Sequence, residues 1–230
     1  KAGAQTARFD RIAQLFAQGS RFTLDDMKRM QLDAWLTSSE RDIALFRGWA
    51  ASDATLDSAR RALAEWDGFR RRDSMPAALH SFVAEHITAE ARAENTAPAR
   101  RRELLEGALS AGVAELRAAQ GDDPAGWRWG RVHRSEFRHA LVRAYDIPAV
   151  ERDGGAGTVA ATGATYRQVI DFADLDASAV TNAPGQSAQP FSPFYANLAE
   201  PYGRGEFFPL VYTRAAVERA AAHRLLLLPQ

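Results

Sequence analysis

The chain has 230 residues, with 29 Lys and Arg against 29 Asp and Glu, so its formal net charge is zero. This balance supplies no bulk attraction to nucleic acid or to an anionic membrane, and we expect neither as a partner. The absence of cysteine excludes thiol catalysis, disulfides and thiolate metal sites, and it fits oxidising and reducing compartments equally. The longest purely apolar run, residues 225–228, is far too short to span a membrane.

Three helices are predicted in the first fifty residues. The first ends at Gly19 and is indicated by apolar residues at helical spacing, namely Phe9, Ile12, Leu15 and Phe16. Thr23 followed three residues later by Asp26 is typical of an N-cap and predicts the second helix. Ser39 and Asp42 repeat this spacing and predict an N-cap for a third helix, whose apolar face extends to residue 49.

Two further helices are predicted between residues 54 and 90. The fourth covers residues 54–66 and is followed by Gly68, a usual helix stop. Ser74 ahead of Pro76 predicts the start of the fifth, because proline is tolerated in the first turn of a helix.

A polar segment at residues 92–98 leads into a long amphipathic helix at residues 100–120. Its basic run, residues 100–102, resembles a nucleic-acid patch. Glu103 and Glu106 lie on the same turns, however, which favours a solvated helix face.

The character of the sequence changes at Gly121, although helical pattern extends in places to about residue 146. Large and polar residues then alternate as they do in strands, and residues 154–157 form a glycine-rich turn. Strands are predicted at residues 127–132, 158–162 and 166–172, and a last helix at residues 213–224. The sequence therefore predicts an α+β fold whose first two thirds are helical, followed by strands and a closing helix.

Residues 180–210 are predicted to form an ordered loop. Proline and glycine are too dense there for a helix, and the segment is too aromatic for a flexible linker. These aromatic side chains are expected to dock on other parts of the protein; they are Phe191, Phe194, Tyr195, Tyr202, Phe207 and Phe208.

Common catalytic motifs do not explain this chain. Ser187 approaches a nucleophile elbow, but the second glycine is missing and Pro190 and Pro193 block the helix that must follow, so Ser187 is expected to bond loop backbone. His80 with His86, and His133 with His139, are spaced too far apart for a shared metal. We expect these histidines at the surface or in the core, and the tryptophans at positions 35, 49, 66, 127 and 129 in the core.

Residues 183–187 (Ala-Pro-Gly-Gln-Ser), 192–195 (Ser-Pro-Phe-Tyr), 205–206 (Gly-Glu) and 209–210 (Pro-Leu) resemble the late signature of the penicillin acylase family of N-terminal nucleophile hydrolases. The chain departs from that signature at Ala188, Phe194 and Asn197. Earlier segments also match in order, at residues 66–68, 127–133 and 164–171, so that the resemblance covers essentially the whole chain.

The resemblance implies the C-terminal portion of a catalytic β subunit, with residues 1–146 as a mainly helical segment. Residues 147–230 would be a β-rich segment with a closing helix that completes an αββα sandwich. Such enzymes cleave a linear amide by acyl transfer to the first β-subunit residue, whose own α-amino group acts as base. Lys1 cannot serve as that nucleophile, which is therefore expected outside this chain.

The resemblance also implies partners: an upstream segment of the same subunit, an α subunit and a small acyl amide substrate. No cofactor or metal is expected within this chain, and any calcium would be bound through upstream residues. Family members are commonly periplasmic or secreted, which sets the expected location.

One family active-site position maps onto this chain. A functional arginine at the start of the helix before the residue 21–23 element corresponds to Arg8, and a slip in that alignment would select Arg11 instead. By its residue type alone, Arg8 could equally be a plain surface arginine. The alternative function is a non-catalytic structural or interaction domain that acts alone.

Overall fold

The computed structural model describes residues 6–161 and 163–228. Helices dominate up to Gln120, and short strands follow. The α-helices within the described residues are α1 (Ala7–Phe16), α2 (Leu24–Gln31), α3 (Ser39–Ala44), α4 (Ala54–Ala64), α5 (Met75–His86), α6 (Ala89–Arg92), α7 (Pro98–Gln120), α8 (Ala199–Gly203) and α9 (Arg214–Ala220). Among these helices, none is long and apolar enough to cross a bilayer.

Two small antiparallel sheets follow the helical part. The first pairs β1 (Arg134–Phe137) with β2 (Ile147–Glu151) and so joins residues on both sides of position 146. The second has the order β3 (Arg167–Val169), β4 (Ala179–Thr181) and β5 (Phe208–Pro209). The predicted mixture of α and β structure is confirmed.

The main core forms where α5 packs against α7. Its most deeply buried side chains include Leu79, Val83, Leu105, Leu109 and Leu116. Gly112 of α7 lies directly against α5, because a Cβ atom built on it would lie 2.6 Å from Val83 Cγ2 and 2.7 Å from Val83 Cα. The backbones of the two helices can approach this closely only because residue 112 has no side chain.

Two predicted helix starts are confirmed in atomic detail. Thr23 Oγ1 accepts a hydrogen bond from the Asp26 N–H, and the Asp26 carboxylate accepts one from the Thr23 N–H, which completes a capping box. At α5, Ser74 Oγ accepts from the Ala77 N–H, and Pro76 lies in the first turn.

The predicted N-cap of the third helix is wrong by one residue. Ser38 is the N-cap of α3, and it makes no capping bond because its hydroxyl donates to Asp42 Oδ2 at 3.0 Å. Ser39 is the first helical residue and is fully buried. The helix ends at Ala44 rather than near residue 49, shortly before Gly48 takes a positive φ of 78°.

The strand predicted at residues 127–132 is wrong. One 3₁₀ turn, Trp129–Arg131, lies in this stretch, and another, Pro124–Gly126, ends just before it. The N–H of Trp129 donates to the Ser74 carbonyl rather than to a neighbouring strand. Trp127 and Trp129 are both 5% exposed, so the two turns bury alternate residues as effectively as a strand would.

The strand predicted at residues 158–162 is also wrong for residues 158–161, while Thr162 lies outside the described residues. The Thr158 hydroxyl lies 3.0 Å from the Gly155 carbonyl and 3.1 Å from that of Ala160, so the segment folds back on itself. The Ala160 N–H donates to the Asp33 carbonyl at 2.9 Å. Among the described residues between 158 and 172, β3 is the one strand that forms, and it lies inside the predicted 166–172 strand.

The last helix is shorter than predicted. Thr213 caps α9 by accepting from the Ala216 N–H, but the helix ends at Ala220 rather than at residue 224. The leucines at 225–228 that follow are each at least 75% exposed.

Candidate functional site

Arg8, the residue predicted to act at the site, lies in the first turn of α1. The helix begins there because Thr6 Oγ1 accepts from the Phe9 N–H at 3.2 Å. Arg8 is exposed at the surface, and its Nε donates to the Thr158 carbonyl oxygen at 2.8 Å. Within the described residues, the Arg8 guanidinium makes no other hydrogen bond. The two terminal amino groups therefore remain able to donate to a carbonyl or carboxylate oxygen.

Arg11, the alternative alignment, has a different environment. Its Nε and Nη2 donate to the two carboxylate oxygens of Asp33, at 3.0 and 2.8 Å, and its guanidinium lies 4.6 Å from the centre of the Trp35 ring. The Arg11 and Asp33 side chains are only 14% and 8% exposed. The geometry assigns Arg11 to the attachment of α1, and it leaves Arg8 as the arginine that faces solvent.

The carbonyl that holds Arg8 belongs to a closely bonded turn. Thr158 is fully buried, and the Gly155 N–H donates to the Ala160 carbonyl at 2.9 Å across the turn. The turn is joined to the segment after α2, because the Thr37 N–H donates to the Gly157 carbonyl. The Arg8 guanidinium is therefore held by the backbone of a turn that is itself bonded to another part of the fold.

A small apolar cavity of about 120 Å³ lies between α1 and α2, beside this turn. Its lining side chains are Ile12, Leu15, Phe16, Met27, Met30, Gln31 and Val159. Complete ligand pockets are usually about 300 Å³ or larger, so this cavity could hold only part of a ligand. Because Val159 is part of the lining, the cavity places apolar surface next to Thr158, whose carbonyl holds Arg8.

A second group of residues has catalytic chemistry, but its carboxylate and its imidazole are buried. Asp42 is 3% exposed and accepts from Ser38 Oγ, from Arg92 Nη1 and from His80 Nε2, the last at 3.1 Å. His80 stacks at 4.9 Å on the Trp66 ring. The Arg92 side chain keeps 28% of its surface exposed, but the Asp42 carboxylate and the His80 ring are enclosed, so the arrangement supports the fold rather than presenting a reacting group to a substrate.

The other histidines lie apart from this network. His133 is buried and stacks on the Trp129 ring at 5.5 Å, and burial lowers the pKa of its imidazole. His86 lies 3.1 Å from Glu115, and His139 Nδ1 accepts from two loop N–H groups. Within the ranges 6–161 and 163–228, no group of three His, Asp or Glu side chains could hold a metal ion.

The loop predicted at residues 180–210 is ordered, but the expectation that it contains no helix is wrong, because α8 (Ala199–Gly203) lies within it with Pro201 in its first turn. The part before α8 is held together by two carbonyl groups. The N–H groups of Gln186 and Ser187 donate to the Phe194 carbonyl, at 2.9 and 3.1 Å, and the Leu198 N–H donates to the Pro184 carbonyl. The two halves of the signature thus contact each other directly. Ser187 Oγ accepts from the Gln189 N–H, so the predicted role of Ser187 in loop backbone is confirmed.

The prediction that the loop aromatics dock is only partly right. Tyr202 is buried, and Tyr195 donates from its hydroxyl to the Tyr145 carbonyl at 2.8 Å. Phe191 and Phe194 are 89% and 57% exposed. Phe194 contributes its carbonyl rather than its ring, which explains why the loop tolerates phenylalanine there.

Gly185→Ala is expected to destabilise the protein by about 1 to 2 kcal/mol. A Cβ at this position would lie 2.2 Å from the Phe194 carbonyl oxygen and 2.5 Å from that of Tyr195, so the two signature segments would have to separate. Chemical denaturation measures the change. Gly126→Ala is the control, since its nearest neighbour would lie 3.7 Å away; equal stability of the two variants would contradict the prediction.

Two features of the site were beyond the reach of sequence reasoning. The network around Asp42 joins residues separated by 38 and 50 positions, and the Arg8 contact spans 150 positions. Such separations carry no periodic signal. For the Asp42 network, the only signal in the sequence was residue type: an acidic residue in a predicted apolar helix and a histidine elsewhere in the chain.

Curated relatives with sequence similarity are acyl-homoserine lactone acylases. The chain is 30% identical over 119 residues to QuiP of Pseudomonas fluorescens strain Pf0-1, covering 46% of this chain and 14% of that protein. It is 26% identical over 146 residues to QuiP of Pseudomonas syringae pv. tomato, covering 55% of this chain and 18% of that protein. The matched part is therefore less than a fifth of each relative's length.

Among solved structures, the fold resembles that of a thermostable penicillin G acylase from Alcaligenes faecalis. The TM-score is 0.51 at 16% identity, over 97% of this chain and 52% of that one. The penicillin amidase family model matches residues 2–219, which is nearly the entire sequence. On that match, together with the signature loop described above, the chain belongs to the penicillin amidase family.

Proposed function

We propose that this chain is the C-terminal portion of an amidohydrolase that cleaves a linear carbon–nitrogen amide bond. The match to the family over residues 2–219 carries this proposal, because the family's signature loop is both present and structurally closed here. The names of the relatives support an acyl amide as the substrate class.

The catalytic nucleophile in this proposal lies outside residues 1–230. Within the described residues, the Ser187 hydroxyl is engaged with loop backbone, and Asp42 and His80 are buried. The chain's partners would be an upstream segment of its own subunit, an α subunit and the substrate. With those segments the two small sheets would complete the αββα sandwich, in a periplasmic or secreted enzyme.

The reaction would proceed in two acyl transfers. The nucleophile's oxygen or sulfur attacks the amide carbon, the carbon–nitrogen bond breaks, and the amine leaves with a proton. Water then attacks the acyl-enzyme, which releases the carboxylic acid and restores the nucleophile with its proton. In this scheme Arg8 acts as a donor from its terminal amino groups toward substrate oxygen, while Thr158 fixes the guanidinium.

Calcium is proposed only for the complete enzyme, through upstream residues. The described part of this chain contains no carboxylate or histidine cluster that fits a metal ion. No step of the proposed reaction is therefore assigned to a metal.

The proposal is tested by hydrolysis of a chromogenic phenylacetyl or medium-chain acyl amide, by the chain alone and by the chain expressed with its upstream gene product. Activity is expected only with the upstream product. Activity of the chain alone would overturn the external nucleophile. Inactivity in both preparations, when a family acylase cleaves the same compound, would favour a non-catalytic structural domain.

Arg8→Ala is expected to lower kcat/KM of the active assembly by about 10- to 30-fold, the effect of losing one charge-assisted hydrogen bond in the transition state. Its melting temperature should hardly change, because Arg8 is exposed. Arg47→Ala is the matched control, since Arg47 is also exposed and its Nε also donates to a backbone carbonyl, that of Ala64 at 3.2 Å. A kcat/KM for Arg8→Ala equal to that of the control would remove Arg8 from the site.

A further inference from the structure

A second cavity, of about 40 Å³, lies between β3, α8 and the end of β2. Its lining includes the side chains of Arg152, Arg167 and Tyr202, together with Asp153 and Arg204. One water needs roughly 10 to 15 Å³ of such space, so the cavity can hold a group of about three heavy atoms.

The two arginines that line this cavity are buried to an unusual degree. Arg152 is 4% exposed and Arg167 is 9% exposed. Neither forms an ion pair within 4.0 Å with any carboxylate of the described residues, although buried guanidinium groups are normally paired. Arg167 Nη2 is buried and has no hydrogen-bond partner there. Burial lowers the pKa of Arg152, and the neighbouring Tyr202 and Asp153 offset that effect only in part.

The groups already present compensate these charges only partly. The guanidinium carbons of Arg152 and Arg167 lie 4.4 and 5.8 Å from the centre of the Tyr202 ring. Both arginines therefore make cation–π contacts with the same ring, which carries no charge. Arg152 Nη1 also donates to Ser135 Oγ, and the Tyr202 hydroxyl donates away, to the Ala164 carbonyl.

The acids closest to the cavity are engaged elsewhere. Asp153 is exposed and accepts at Oδ1 from the Arg72 N–H at 2.6 Å. Arg204, the third arginine of the lining, pairs with Glu206 at 2.5 Å and with Glu200 at 3.9 Å. The positive charge in the cavity that no carboxylate pairs with therefore belongs to Arg152 and Arg167.

We infer that this cavity is a binding site for one carboxylate group, held between Arg152 and Arg167. A carboxylate has three heavy atoms and two acceptor oxygens, which matches both the volume and the unpartnered amino group of Arg167. The carboxylate comes either from a small free acid or from an Asp or Glu side chain of a protein segment outside residues 1–230. The site is separate from Arg8 and does not depend on amidase activity.

The test replaces chloride by formate at constant ionic strength and measures thermal unfolding of the chain. At ten times its dissociation constant, formate should raise the melting temperature by about 3 to 5 °C. Formamide, an uncharged molecule of the same size, should not. Arg167→Met should abolish the formate effect, while Arg143→Met, which removes an arginine whose side chain is 74% exposed, should keep it.

Equal melting temperatures of the native chain in formate and chloride would overturn the site, as would a formate effect that survives Arg167→Met. If Arg167→Met does not fold, Arg167→Lys keeps the charge but loses the planar fork, and it should lose the preference for formate. The same titration on the chain assembled with its upstream product identifies the source. A retained formate effect indicates a free acid, and a lost effect indicates a carboxylate supplied by the protein.

Discussion

Asp42→Ala is expected to lower the free energy of unfolding by about 3 to 5 kcal/mol at neutral pH. The Asp42 side chain is 4% exposed and accepts from His80 and Arg92, so its removal leaves a buried imidazole and a guanidinium that is only 28% exposed without their acceptor. Chemical denaturation gives the value directly.

Asp25→Ala is the control for Asp42. Asp25 also pairs with a basic residue, Lys28 at 3.0 Å, but its own side chain is 73% exposed. Exposed ion pairs contribute only about 0 to 1 kcal/mol, so this variant should be nearly as stable as the native chain. Comparable losses in both variants would show that the Asp42 network is not the buried support described above.

The contribution of Asp42 should also depend on pH. Burial by itself would raise the pKa of this carboxyl group, but hydrogen bonds from His80 and Arg92 outweigh burial and hold the pKa well below its usual range. The folded pKa is thus below the unfolded value of about 3.9, and the stabilisation is present above that pH. It should be lost progressively as the pH falls below about 4, so that native chain and Asp42→Ala converge in acid.

Gly112→Ala is expected to destabilise the chain by about 2 to 3 kcal/mol, although alanine is the better helix former. Its Cβ would lie 2.7 Å from both the backbone N and the Cα of Val83, so that α5 and α7 would have to move apart along the main core. The clash involves main-chain atoms, which cannot turn aside as a flexible side chain can.

The matched control for Gly112 lies on the same helix. Gly107 is exposed and has no atom within 4 Å of its Cβ position, so Gly107→Ala should gain about 1 kcal/mol from helix propensity alone. The two variants should therefore shift the melting temperature in opposite directions. A melting temperature for Gly112→Ala at or above that of the native chain would contradict the close packing of α5 and α7.

Local signals predicted several helix starts correctly, although α8 forms in a stretch predicted to be a loop. The Thr23–Asp26 capping box and the Ser74 start of α5 are contained within four residues of sequence, and both form as expected. The strand at residues 127–132 failed because its alternation of tryptophans is equally compatible with two tight turns. What decides between them is the acceptor for the Trp129 N–H, the Ser74 carbonyl, which lies 55 residues earlier and leaves no local trace.

The candidate site likewise has features that the sequence could indicate and features that only the structure shows. Arg8 could be selected from the sequence through resemblance to the family, and Ser187 could be dismissed from its neighbours. The choice between Arg8 and Arg11 required coordinates, because both lie in α1 and only Arg11 meets a carboxylate, that of Asp33. The cavity at Arg152 and Arg167 was equally hidden, since two arginines 15 positions apart give no pattern.

The attachment of α1 has a consequence for the order in which the chain folds. The contacts within α5 and α7 join residues close in sequence and can form as soon as those helices exist. Arg8 contacts Thr158, 150 positions later, so its guanidinium cannot take its native position until that turn has been synthesised and folded. Arg11 and Asp33 are only 22 positions apart and can pair much earlier, so the two arginines of α1 reach their native contacts at different stages of folding.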